Sequence, residues 1–300
     1  DRYQKDNKMN ILIIGKNSYI GNHIDEWLSK YGHQVQQLDV LTDEWKRFDY
    51  SSFDAIVHVA GIVHRPDCRD WGLYKRVNTD MPLSIASMYK SVRAEKGLTG
   101  QYVYFSTMGV YDAGKKLEPS IVDHNTPMLK DSNSMYGKSK LMAEEELIKL
   151  QDRTFSVAYV RPPSVYGKGC RGGYITGFTK MARLLPMIPK AYENTCQSFI
   201  YIDNLSECVR IIVENGLTGS FCPQDDEIPC ASRLLEVICK GIGKKPRRSK
   251  FLGLCLRIGS FMPWVRKAYG GIAYARELSD IPGYDYVVVP FEEGMKKAVC

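Results

Sequence analysis

Short apolar and β-branched runs alternate with longer amphipathic stretches through the first half of the chain. Ile11–Leu12–Ile13–Ile14, Gln34 to Leu38, Ala55 to Val59, Tyr102 to Phe105 and Val157 to Val160 have strand patterning. Between them, Ile20 to Lys30, Tyr74 to Val92 and Ser134 to Leu150 have helical spacing and length. Strand–helix alternation of this kind predicts an α/β fold, a doubly wound parallel sheet with helices on both faces. The second half is less regular. Helices are expected at Gly173 to Leu185, Asn204 to Asn215, Ala231 to Lys240 and Phe251 to Ala268, separated by turns rich in Pro, Gly and Asp, with a last helix at Phe291 to Val299.

The first strand runs into Gly15-Lys-Asn-Ser18-Tyr19-Ile20-Gly21 and then a helix, the context that gives a glycine turn meaning. Gly15 permits the tight turn, Gly21 lets helix and strand approach, and the helix N-terminus around Ser18, Tyr19 and Ile20 offers N–H groups to a pyrophosphate. Asp39 ends the second strand, 24 residues after Gly15. Its carboxylate suits both ribose hydroxyls and repels a 2′-phosphate, and no cation follows it, so NAD is the expected cofactor. Ser18 departs from the glycine usual at the middle of such turns, and its hydroxyl is expected to donate to the cofactor. The expected organisation is a Rossmann core over residues 9–165 and a smaller mixed α/β substrate lobe over 166–300. Segment 199–215 is expected to return to the core, and residues 1–8, ahead of Met9, are read as processing residues.

Tyr136-Gly-Lys-Ser-Lys140 places a phenol and an ammonium one helical turn apart. A free tyrosine has a pKa near 10, and a neighbouring cation favours its phenolate. Ser106-Thr107 follows the strand Tyr102 to Phe105, where a hydroxyl sits at the carboxyl end of the sheet. A glycine turn, an acid, a strand-end hydroxyl and YxxxK in this order make a dinucleotide-dependent active site the reading of choice.

On these residues the chain resembles the extended short-chain dehydrogenase/reductase family, in particular its nucleotide-sugar epimerases, dehydratases and 4-keto-sugar reductases. The matching segments are GKNSYIG at 15–21, DAIVHVAG at 54–61, VNTD at 77–80, FSTMGVY at 105–111, YGKSK at 136–140, RPPSVYGKG at 161–169 and FIYIDNL at 199–205. The resemblance runs from Met9 to Val299 and weakens after Gly216. It implies catalytic roles for Thr107, Tyr136 and Lys140. It also implies cofactor contacts from Ala60, Gly61, Asn78 and Pro163, and substrate contacts from Thr107, Ser164, Arg171, Tyr174 and Gln197. The 4,6-dehydratases carry Asp-Glu after the catalytic threonine; this chain has Met108-Gly109, which argues against dehydration. Gln197 stands where relatives commonly have an Arg for the diphosphate, a charge that Arg171 is able to supply.

The resemblance therefore implies an NAD-dependent C4 epimerase of a UDP-hexose or UDP-N-acetylhexosamine, supplying surface polysaccharide precursors. An NAD(P)H-dependent 4-keto-sugar reductase is the alternative, and a non-catalytic dinucleotide sensor an alternative of another class. The partners implied are a nucleotide sugar and a second copy of the chain, paired through the helices Tyr74 to Val92 and Ser134 to Leu150.

Composition changes this picture little. With 44% apolar and 25% charged residues the chain is ordinary folded protein. Its 41 Lys and Arg against 34 Asp and Glu give +7, an excess spread along the chain apart from the run Lys244 to Lys250, so no nucleic-acid partner is expected. That run and the apolar Phe251 to Leu256 have membrane-surface character, but the preferred reading is a solvated turn and a helix covering the sugar pocket. The longest apolar stretch falls short of the roughly 20 residues a span needs. Nine cysteines without paired or zinc spacing read as reduced thiols of a cytoplasmic enzyme, and no metal is expected. His64, Tyr174 and Trp264 are the remaining candidates for substrate contact.

Overall fold

Asn10–Ile14, Ala55–His58 and Gly100–Phe105 are buried almost throughout, as a parallel sheet covered on both sides requires, whereas the edge strand Gln34–Leu38 is partly exposed. A computed structural model of the chain describes residues 8–63, 70–129, 134–170 and 173–300. Six strands form one parallel sheet: β1 (Asn10–Ile14), β2 (Gln34–Leu38), β3 (Ala55–His58), β4 (Gly100–Phe105), β5 (Phe155–Val160) and β6 (Gly219–Phe221). Their spatial order is β6-β5-β4-β3-β1-β2. The order reverses between β1 and β3, and a doubly wound sheet binds its ligand in the crevice at that point.

Three helices frame the candidate site and its support: α1 (Tyr19–Lys30), α2 (Met81–Glu95) and α3 (Met135–Leu147). The core beneath α2 and α3 joins Leu12, Ile56, Ile85, Tyr102, Tyr104, Leu147 and Phe155. Its tyrosines are buried, yet each phenol donates to a backbone carbonyl: Tyr102 to Pro82 at 3.1 Å, Tyr104 to Asn78 at 2.7 Å, Tyr89 to Phe53 at 2.9 Å and Tyr159 to Glu144 at 2.9 Å. Paired in this way, the hydroxyls avoid the cost of burying an unsatisfied polar group and pin helices to sheet.

The expected helix Tyr74 to Val92 is built in three parts: an α-turn Trp71–Lys75, a π-turn Arg76–Asp80, and α2 with Pro82 in its first turn. The expected helix Phe251 to Ala268 is two helices, Lys250–Ile258 and Pro263–Tyr269. Met262 lies in extended backbone at φ −74° and ψ 127°, the conformation that a following proline imposes.

The chain divides into two compact units. The first comprises residues 1–110, 128–161 and 206–221; the second comprises 111–127, 162–205 and 222–300. The second unit contains two-stranded parallel pairs, among them Ser164–Tyr166 with Phe199–Tyr201. Within it Asp225 accepts from the Tyr166 phenol at 2.7 Å, the Tyr201 amide at 3.0 Å and the Asn204 amide at 2.8 Å. No described helix is long and apolar enough to cross a membrane.

Candidate active site

The turn after β1 is held open by its own backbone. Gly15 has φ +124°, and a Cβ there would meet Val59 Cγ2 at 2.9 Å and the Ala60 nitrogen at 3.0 Å, so both the conformation and the contact with the β3 loop require glycine. Ser18 is the N-cap of α1, its hydroxyl oxygen accepting the Gly21 amide at 3.0 Å. The departure from glycine at Ser18 thus has a structural account, helix capping. Gln37 on β2 braces the turn, accepting the Asn17 amide at 3.1 Å and donating to Asp25 at 2.7 Å. One residue past the end of β2, the half-buried Asp39 accepts the Leu41 amide on Oδ1 at 2.8 Å.

The loop after β3 is tied down by Asn78. This fully buried side chain accepts from the Ile62 amide at 2.8 Å and donates to the Ile62 carbonyl and to Ser139 Oγ, both at 3.0 Å. Thr79 donates to the Ser139 carbonyl at 2.7 Å. Two consecutive residues of the π-turn, Asn78 and Thr79, thus both bond to Ser139 of α3. A Cβ on Gly61 would lie 3.0 Å from both Asn78 Oδ1 and Lys140 Nζ, so the loop passes close over the lysine.

Ser134 caps α3 by accepting the Gly137 amide at 3.1 Å, which fixes the helix start and with it Tyr136 and Lys140. The Thr107 hydroxyl is hydrogen-bonded to the Tyr136 phenol. Burial nevertheless raises the Tyr136 pKa, Tyr74 adding to the rise and Thr107 opposing it. Lys140 is buried, donates to the Phe105 carbonyl at 2.7 Å and lies 4.6 Å from the Tyr104 ring centroid. Burial brings its pKa down to about 7, against the opposing charge of Glu144. The expectation that Lys140 lowers the Tyr136 pKa is therefore not what the chain alone does: the ammonium carries its own desolvation cost and is engaged by a carbonyl. A depressed lysine pKa has a definite linkage consequence. Between about pH 7 and the ordinary lysine range the unfolded chain holds a proton that the folded chain has released, so this site's contribution to stability rises with pH. Urea titrations across that range are expected to show the rise and to lose it in Lys140→Met.

The catalytic candidates Thr107, Tyr136 and Lys140 thus come together in the first unit, at the carboxyl ends of β4 and β3. The glycine turn, Asp39, Ala60, Gly61 and Asn78 lie on the same unit. The model of the NAD-dependent epimerase/dehydratase family matches residues 11–219, more than half of the chain. The chain belongs to the NAD-dependent epimerase/dehydratase family.

Among characterised relatives, 2-alkyl-3-oxoalkanoate reductase of Stenotrophomonas maltophilia is 25% identical over 174 residues, covering 54% of this chain and 52% of the relative. The match thus spans about half the length of that protein. Among solved structures, the dTDP-4-dehydrorhamnose reductase of Clostridium acetobutylicum superposes with a TM-score of 0.71 at 17% identity, covering 97% of this chain and 98% of the other. The UDP-glucuronic acid 4-epimerase of Bacillus cereus, solved with NAD, gives 0.69 at 17% identity with 97% coverage of each chain. WbmG of Bordetella bronchiseptica, solved with NAD and UDP, gives 0.69 at 17% identity, covering 99% and 94%. These likenesses establish the fold.

NAD is the cofactor of this epimerase/dehydratase family, and the residues present fit it. A glycine turn that admits no Cβ precedes a helix N-terminus, and an acid followed in sequence by Val40 and Leu41 rather than a cation stands just past β2. Of the residues placed in the second unit, Ser164 opens the strand Ser164–Tyr166, next to Pro163, and lines a cavity with Tyr166, Tyr174 and Thr179. Tyr174 donates to the Ala268 carbonyl at 2.7 Å and stacks on Phe178 at 4.7 Å. Gln197 is buried in that unit, its amide nitrogen donating to the Ser198 carbonyl at 3.2 Å while its Oε1 has no partner among the described residues. Arg171 and His64 lie outside the described residues.

Sequence reasoning missed the supports of the site: Gln37, Ser139, the Phe105 carbonyl, and the buried pair of Glu144 with Arg161. No spacing rule announces these, because each partner is tens of residues away or on another element.

Proposed function

We propose that the chain is an NAD-dependent 4-epimerase of a nucleotide-activated sugar, a UDP-hexose or UDP-N-acetylhexosamine. Hydride chemistry at a secondary alcohol rests on the Thr107–Tyr136 hydrogen bond one turn from Lys140. Epimerisation in particular is carried by Asp39, which favours a cofactor retained and reused over NADPH delivered from outside. The chemistry that bound NAD would supply is acceptance of a hydride from the sugar carbon and its return. Tyr136 takes the proton of the C4 hydroxyl and later gives it back, within reach of the Thr107 hydroxyl, which holds the same oxygen. Lys140, poised between the Gly61 loop and the Phe105 carbonyl, orients the ribose and places positive charge near the phenolate that accepts the proton. The 4-keto sugar then presents its other face.

A 4-keto-sugar reductase is the second reading, and the observation in its favour is Gln197. A buried neutral amide stands where a diphosphate-binding arginine is expected, so the diphosphate must be held differently.

The deciding experiment denatures the purified protein and identifies the dinucleotide released. Close to one NAD per chain supports the epimerase. An empty site that binds NADPH more tightly than NADH overturns it. Asp39→Ala is expected to weaken NAD binding by about 10- to 100-fold, the loss of hydrogen bonds to a charged acceptor, and to reduce discrimination against NADPH, both read by fluorescence titration.

A further inference from the structure

Counted by segment, the net positive charge of the chain is confined to one stretch. Residues 237–276 hold ten of the 41 Lys and Arg and none of the 34 Asp and Glu. The rest of the chain has 31 basic and 34 acidic residues and is net negative.

The same segment turns an apolar stripe outward. In the helix Lys250–Ile258, Phe251, Leu254 and Ile258 fall at i, i+3 and i+7, the spacing that ordinarily faces a core. Here they are 73%, 56% and 69% exposed. The helix turns Gly253 inward instead, against the Lys190 backbone, where a Cβ would collide with the Lys190 carbonyl. Phe261 and Trp264 continue the exposed surface at 78% and 53%. A helix that covered a sugar pocket with this stripe would bury it, so the covering-helix reading of Phe251 to Leu256 does not account for its exposure.

Some of the cations have internal partners. Arg248 pairs with Glu193 and Glu236, and Lys244 donates to the carbonyls of Ala182 and Arg183. Among the described residues Lys245, Arg247, Lys250, Arg257, Arg266 and Lys267 make no ion pair. Next to the stripe, Lys115, Arg266 and Lys267 line one cavity with Phe261, Met262 and Pro263, and no acid lines it. Three cations around an apolar-walled cavity make a seat for a phosphate group.

These features select an occupant. A second copy seated on this face would set cations against cations. A leaflet containing acidic phospholipid offers negative charge at its surface and hydrocarbon just beneath. Lys and Arg are drawn to the first, while Phe, Leu and Trp enter the boundary to the second. Nine helical residues rise about 14 Å, against a hydrocarbon thickness of about 30 Å, so the helix lies in the plane of the surface.

We propose that the face from Lys244 to Lys267 docks the chain peripherally on an anionic lipid bilayer. Phe251, Leu254, Ile258, Phe261 and Trp264 enter the headgroup boundary, and Lys115, Arg266 and Lys267 hold a lipid phosphate.

The test sediments the purified chain with vesicles of phosphatidylcholine alone, or of phosphatidylcholine mixed with phosphatidylglycerol. Binding is expected to the mixed vesicles only, and to weaken as salt is raised. Joint substitution of Lys245→Glu, Arg247→Glu and Lys250→Glu is expected to weaken it by at least about 100-fold. Phe251→Ser with Phe261→Ser is expected to abolish it. Each variant should keep the wild-type thermal midpoint, because the altered side chains are exposed. Binding that ignores lipid charge, or a charge variant that binds like wild type, overturns the proposal. So does an oligomer, seen by analytical ultracentrifugation, that dissociates when Phe251 and Phe261 are replaced, since the face would then be covered by a second copy.

Discussion

Tyr136→Phe lowers kcat by about 10³-fold while the dinucleotide released per chain on denaturation stays at the wild-type amount. The size is that of losing a positioned acid–base group. Phe keeps the ring and its packing on α3 and removes only the oxygen that Thr107 holds. Turnover is measured on UDP-hexoses and UDP-N-acetylhexosamines by separating the epimers, and a variant with more than a tenth of wild-type kcat would remove Tyr136 from the mechanism. The pH profile adds a second reading. Burial raises the Tyr136 pKa, and a base must be deprotonated, so the rate rises with pH through neutrality. Thr107→Ala deletes the hydrogen bond that lowers this pKa, so its rising limb shifts further to alkaline pH as well as losing amplitude.

The second large effect is on stability. Glu144 on α3 and Arg161, just past β5, form a two-pronged ion pair at 3.0 and 2.5 Å, with both side chains nearly sequestered from water. Glu144→Ala strands a buried guanidinium without its carboxylate, and destabilisation of about 3–5 kcal/mol is expected, a large part of a typical total of about 5–15 kcal/mol. Urea denaturation measures it. The double change Glu144→Met with Arg161→Met should be less damaging than Glu144→Ala, because no charge is left unpaired. A cost below about 1 kcal/mol for Glu144→Ala would mean that water reaches the arginine. Glu144 also opposes the depression of the Lys140 pKa, so Glu144→Gln, closer in shape, should move that lysine's titration further down.

Much of the first unit is legible in the sequence because its signals are local. Runs such as Ile11 to Ile14 are buried on both faces, and glycine at 15 answers a steric demand that no other residue meets. Ser18 looks like a departure because a turn motif is read for the ligand, whereas here the hydroxyl also serves the helix it begins. The strand Gly219–Phe221 is three residues long with a glycine at its start, too short for period-2 patterning to show. The break at Met262-Pro263 is concealed by apolar residues on both sides that keep helical spacing. The outward stripe at Phe251, Leu254 and Ile258 has the same periodicity as an inward one, and only the folded environment tells which way it points. The π-turn at Arg76–Asp80 leaves no mark in spacing either, because its residues RVNTD carry no breaker that sets them apart from an ordinary helical turn.

The division of the chain into units that interleave in sequence sets an order of events during synthesis. The polypeptide passes from one unit to the other five times, at 110–111, 127–128, 161–162, 205–206 and 221–222. β5 is complete at Val160, but β6, its neighbour on the outer side, ends at Phe221. At roughly 5–20 residues per second of translation, the outer edge of β5 stays unpaired on the ribosome for roughly 3–12 s. During that interval the nascent chain presents an open strand edge of the kind that recruits other strands. The newborn protein is therefore most exposed to mispairing, and to chaperone capture, while the sheet that carries its candidate catalytic residues still lacks its last strand.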